Sequence, residues 1–143
     1  MEFVIQRRPP EPTVATCQGM RYRLVGSEIQ DNDGTTLGHY QRCARSPLDP
    51  PVPESIDYAF WQQGAVAAIF TRGVSPQPEF WLTYGDQTMC IRPSNYYICE
   101  ELHARTVLAW YPEGQCVYTI DDAIDPVSAL FLFRMLETID EDA

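Results

Sequence analysis

The sequence predicts a mainly β fold with one C-terminal α-helix: an antiparallel β-barrel, or strongly curved sheet, of about ten or more short strands around or against that helix. Three observations carry this expectation. Twelve prolines and eight glycines punctuate many short apolar runs, the composition of a turn-rich β fold. Several of these runs are joined by short Gly-bearing turns of the hairpin type. The last apolar segment, within "DPVSALFLFRMLETIDEDA", is oily almost all the way round, which suits a helix enclosed by protein rather than laid on a surface. Closing the sheet would also remove the unpaired edges that short hairpin strands otherwise expose.

The elements follow in chain order. "RRPPEPTVATC" opens with three prolines that forbid a helix and set an extended entry to Val14–Cys17. "RYRLVGSEIQ" and "TTLGHYQRC" flank "DNDG", where Asp33 and Gly34 both tolerate positive φ, so a hairpin is expected over residues 21–43. Residues 44–56 carry four prolines and read as a surface loop. "DYAFWQQ" and "AVAAIFTR" continue the hairpins around Gly64, and "EFWLTY" and "QTMCIR" are parted by Gly85 and Asp86. "YYICE", "RTVLAWY" and "QCVYTI" complete the strands, with Thr106–Tyr111 apolar on both faces, as in a strand covered on both sides.

A helix is expected over 125–140, with Asp125 as N-cap and Pro126 at the first helical position, followed by an acidic tail at 141–143. At 100° per residue, Phe131, Leu132, Met135, Leu136 and Ile139 share a face, while Val127 and Leu130 lie opposite. The first two turns therefore have no aqueous side.

At 143 residues the chain suits a single domain, 1–143. Twenty acidic residues stand against ten basic ones, all arginine, for a net charge of −10. That charge repels phosphate backbones and disfavours direct nucleic-acid binding. Residues 121–143 hold seven acids and only Arg134. No apolar run approaches the ~20 residues that span a bilayer, which argues against stable membrane insertion. The N-terminus lacks the basic and apolar regions of a signal peptide, so a cytoplasmic location is expected. Five cysteines without a CxxC read as reduced, mostly buried thiols.

"YRLVGSEIQDNDGTTLGHYQR", a strand, Asp-x-x-Gly turn and strand, and "VYTIDDAIDPVSALFLFRMLETID", a last strand leading into an apolar helix, resemble the tubby-like C-terminal superfamily. The likeness is greatest to its LURP-one-related and scramblase-like members. The resemblance implies a β-barrel wrapped around a hydrophobic C-terminal helix, and binding of lipid or protein. The chain departs from that pattern in having no lysine, whereas the tubby phosphoinositide site relies on clustered lysine and arginine. It also lacks the cysteine-rich and calcium-linked segments of scramblases.

No motif names a reaction. "DNDGTT" lacks the glycine and glutamate of an EF-hand and reads as a turn, so no metal is expected. Glu100, Glu101 and His103 read as a solvated turn, and His39 with Cys43 or Cys90 as an unsupported dyad. Asp121, Asp122 and Asp125 precede a helix, where carboxylates cap and complement the dipole. No phosphate-binding glycine loop occurs, and no cofactor is expected.

Adjacent aromatic pairs place one ring inward and one outward on a strand, which nominates Trp61, Trp81, Tyr97 and Trp110 as ligand or partner contacts. The expectation is a non-enzymatic binding domain for a protein partner or a small apolar, lipid-like ligand. The alternatives are an acidic nucleic-acid mimic that occupies a basic groove of its target, and a hydrolase or lyase in a calycin-like cup.

Overall fold

Period-two alternation places one side of each strand in a shared interior. Phe3 and Ile5, Ala15 and Cys17, and Tyr22 and Leu24 are buried in three successive strands while their neighbours are more exposed. The computed structural model describes residues 1–43, 55–73, 79–93, 96–99, 104–107 and 114–142. These form β1 (Glu2–Gln6), β2 (Thr13–Cys17), β3 (Met20–Val25), β4 (Glu28–Asp31), β5 (Thr36–Arg42) and β6 (Ser55–Gln62). Next come β7 (Ala65–Gly73), β8 (Glu79–Tyr84), β9 (Gln87–Pro93), β10 (Tyr96–Cys99), β11 (Ala104–Val107) and β12 (Gln115–Thr119), and then helix α1 (Pro126–Asp142).

Each strand pairs antiparallel with its sequence neighbour, and β1 pairs with both β2 and β12, so the twelve strands close into a barrel. Ile5 lies opposite Cys116 on one side and Ala15 on the other, which fixes the closing register. Strands about 4.8 Å apart and tilted roughly 40° give such a ring a radius of roughly 12 Å. Side chains from the wall alone would leave its axis hollow, and a helix about 10–12 Å across fits it.

α1 occupies that axis. Phe131 stacks on Phe60 of β6 at 4.9 Å and 6°, and Phe133 leans on Tyr118 of β12 at 5.5 Å. These residues leave the helix about 200° apart, and β6 and β12 are six places apart in a ring of twelve. Opposite sides of the helix thus touch opposite walls. Ala129, Leu130, Phe131 and Leu132 are fully buried, and Val127 packs on the same core.

Because β12 ends at the same end of the barrel as Met1, where Ile120 N donates to the Met1 carbonyl at 3.0 Å, the chain turns there and sends α1 back through the interior. Toward the far end Arg134 donates to the Leu24 carbonyl at 2.8 Å and pairs with Glu137, which also lies 3.7 Å from Arg7. The polar stripe therefore meets partners where α1 approaches the rim.

Several boundaries differ from expectation. The hairpin expected over 21–43 is two hairpins, because Gly26 at φ 58° and Ser27 turn the chain between β3 and β4. In the second, Asp31 Oδ1 accepts from the amides of Asp33 and Thr35 and makes the turn, with Gly34 at φ 86° donating to the Asp31 carbonyl. Ser55 and Ile56, expected in the proline-rich loop, begin β6, whose pairing with β7 extends to them. Glu141 and Asp142 continue α1 instead of forming a tail.

Candidate functional site

With its axis filled by its own helix, the barrel offers its mouth and its outer wall for recognition. At the mouth, the three aspartates singled out in the sequence serve different local roles. Asp121 Oδ1 accepts from Ala123 N at 2.8 Å, Asp122 pairs with the Met1 amine at 2.7 Å, and Asp125 caps α1. Asp125 Oδ2 accepts from Ser128 N and Gln62 Nε2, both at 3.0 Å, and Oδ1 from the Tyr84 hydroxyl at 3.1 Å. One carboxylate thereby ties α1 to the tips of β6 and β8.

Burial pushes the Asp125 carboxyl up, but the hydrogen bonds from Ser128, Gln62 and Tyr84 outweigh it and hold the group below the usual carboxylate range. A depressed folded-state pKa stabilises the fold above the unfolded value of about 3.9, and that contribution is lost as pH falls through the lower folded value. Asp125→Ala is expected to destabilise the protein by about 0.5–2 kcal/mol at pH 7. Urea melts should show the difference from wild type narrowing as the pH falls below about 4.

The outer wall has two distinctive regions. The first spans β6–β8. Because Phe60 faces the helix, its neighbours Ala59 and Trp61 face outward, as do Ile69 opposite Ala59 and Trp81 opposite Thr71. Trp61 and Trp81 are half-buried, and Thr83 on the same side hydrogen-bonds Thr88 at 3.1 Å. At outward positions there, Asp57 is buried at 2% exposure and accepts from Thr71 at 2.7 Å, and Glu79, two residues before Trp81, begins β8 at the far end with its side chain outside the described residues. Trp61, Ile69, Trp81 and Thr83, with Val66 at 43% exposure beside Trp61, make a patch of uncharged side chains on a protein of net charge −10.

The second region lies over β2 and β3, where Arg21 and Arg23 face outward beside a groove that also includes Val14 and Asn32. Sequence reasoning did not single it out. Its signal was the alternation Arg21-Tyr22-Arg23-Leu24, charged on one face and buried on the other.

The structure thus places Trp61 and Trp81 on one wall, two strands apart. Tyr97 belongs to β10, opposite Pro93 and Thr106, with its side chain outside the described residues, and Trp110 lies outside them altogether. Glu100, Glu101 and His103 also lie outside them.

The His39–cysteine dyads, unsupported in the sequence, do not assemble. His39 of β5 and Cys90 of β9 are four places apart in the ring, and Cys43 is four residues from His39, roughly 13 Å along an extended chain. Burial pushes the Cys17 and Cys43 thiols up, away from the thiolate that nucleophilic chemistry requires. Among the described residues no helix is long and apolar enough to cross a membrane.

The fold and its surfaces define a closed antiparallel barrel that encloses its own C-terminal helix and carries Trp61 and Trp81 on its outer wall. Compared with protein-family models, curated proteins and solved structures, the chain finds no match.

Proposed function

We propose that this protein is a non-enzymatic binding domain that engages a protein partner through the outer wall of β6–β8, with Trp61 and Trp81 as anchors. The observation that carries this reading is the wall itself: half-buried tryptophans and an aliphatic surface, with the Asp57 carboxylate withdrawn, on a strongly acidic chain. Aromatic residues on a rigid sheet present large contact area at low entropic cost, the usual character of interface anchors. α1 occupies the axial space that a small apolar ligand takes in cup-like barrels, which favours an outer-wall partner. Kinship with the tubby-like C-terminal superfamily is part of the proposal; the ring of twelve strands around a C-terminal helix supports it.

A second reading, acidic mimicry, rests on the mouth. Asp33, Asp86 and Asp122 are exposed on the turns of that end, Glu2 stands beside them, and the described turns there carry no arginine. One experiment separates the two. Immobilised wild type and a Trp61→Ala/Trp81→Ala double variant are incubated with extract of the source cells, then washed with rising salt. Capture by the tryptophan wall persists at about 0.5 M salt, where charge interactions reach only roughly 4 Å, and disappears in the double variant. Capture lost at moderate salt, and equal for the two proteins, would favour the acidic mouth.

A further inference from the structure

The groove over β2 and β3 has a volume of about 310 Å³ and is lined by Glu11, Pro12, Val14, Arg21, Arg23 and Asn32. Arg21 and Arg23 alternate with the buried Tyr22 and Leu24, so both side chains leave the same face of β3. Among the described residues neither guanidinium has a carboxylate within ion-pairing distance, although acids outnumber arginines two to one in the chain. Arg23 extends across the Asp31–Thr35 turn, its Nη1 3.7 Å from where a Cβ on Gly34 would lie.

Residues i and i+2 of a strand stand about 6.6–6.8 Å apart on one face. That is also the spacing between same-side residues of any other extended chain. A ligand strand lying along β3 with acids at alternate positions can therefore meet Arg21 and Arg23 one to one, each through charge-assisted hydrogen bonds. The register orders the rest of the groove. Thr16 lies opposite Arg21 and Val14 opposite Arg23, so Glu11 follows farther along the same direction, toward the far end. A ligand is thus favoured to carry acid, any residue, acid over the arginines, and an uncharged or basic residue over Glu11. Val14 and Pro12 give it an apolar floor.

We infer that this groove binds an extended acidic peptide segment with carboxylates at alternate positions. A membrane or nucleic acid would present a broad anionic surface to the whole charge of −10, whereas a short segment meets chiefly the two guanidiniums within a Debye length of about 8–10 Å. The inference does not rest on the tryptophan wall.

Fluorescence anisotropy on the full chain tests it, with a fluorescein-labelled octapeptide of alternating glutamate and serine, its glutamine counterpart, and a peptide of the same composition with the glutamates in one block. The alternating peptide is expected to bind more tightly than either control. Arg21→Gln/Arg23→Gln should weaken it by at least about tenfold, Glu11→Gln should strengthen it, and Trp61→Ala/Trp81→Ala should leave it unchanged. Thermal melts of the arginine variant verify that the outward substitutions leave the fold intact. No binding of the alternating peptide, equal binding of the block peptide, indifference to the arginine pair, or preferential capture by vesicles containing 30% phosphatidylserine would each overturn the inference.

Discussion

Replacing Leu132 with aspartate is expected to abolish the cooperative thermal transition. Leu132 is fully buried on the middle of α1, inside a closed ring of strands. Truncating a core leucine to alanine costs about 2–5 kcal/mol. A carboxylate without a partner in that position adds several more, through desolvation that neither water nor a counterion relieves. Together these approach or exceed the roughly 7–15 kcal/mol that stabilises a domain of this size. Circular dichroism should show loss of near-ultraviolet signal and a non-cooperative melt. The graded control, Leu132→Ala, should remain folded, with its midpoint lowered by roughly 6–20 °C. An aspartate variant that melts near the wild-type temperature would mean that residue 132 reaches solvent.

Gly38→Ala is expected to be strongly destabilising for so small a change. A Cβ at residue 38 would overlap Cζ of Phe60 and come within 2.8 Å of its Cε1 and 3.0 Å of the Trp61 carbonyl. Phe60 has little room to retreat, because its ring lies 4.9 Å from that of Phe131, which also meets Tyr40 at 5.9 Å. The missing side chain of β5 is thus the space in which the wall-to-helix stack sits. Overpacking of this kind costs about 1–3 kcal/mol, and a fall in melting temperature of roughly 3–12 °C should be seen by calorimetry. Because the clash is with one ring, Phe60→Leu should recover part of the loss in the Gly38→Ala background, a non-additivity that a double-mutant cycle measures. Additive losses would place the strain elsewhere.

The central helix was legible because two independent signals coincide there: an Asp-Pro start, and apolar residues on both sides of the first two turns, which leave no face for water. Its consequence, a sheet curved around it, followed from the need to cover that surface. The aromatic doublets were legible for a similar reason, since a strand must send Phe60 and Trp61 to opposite sides.

Other features stayed hidden because they depend on register. The turn at Gly26 and Ser27 interrupts "RYRLVGSEIQ" without breaking its alternation of apolar residues, so two strands read as one. Asp31 closes the next turn although the Asp-Gly pair follows it, because its carboxylate reaches two amides that Asp33 does not. Gly38 gave no sign of its role, which exists only where Phe60 crosses from the neighbouring strand. The groove was half visible: the alternation put Arg21 and Arg23 on one face, but only the pairing of β3 with β2 and β4 shows which residues flank them, and among the described residues no carboxylate forms an ion pair with either.

The placement of α1 inside the ring is tested most directly by nuclear Overhauser contacts in the isotope-labelled protein. Phe131 should show contacts to Phe60 and Tyr40 on one wall while Phe133, in the same molecule, shows contacts to Tyr118 on the wall opposite. Contacts from α1 to one wall alone, with Leu130 or Val127 exchanging magnetisation with bulk water, would place the helix outside the barrel and contradict the fold on which the binding proposals stand.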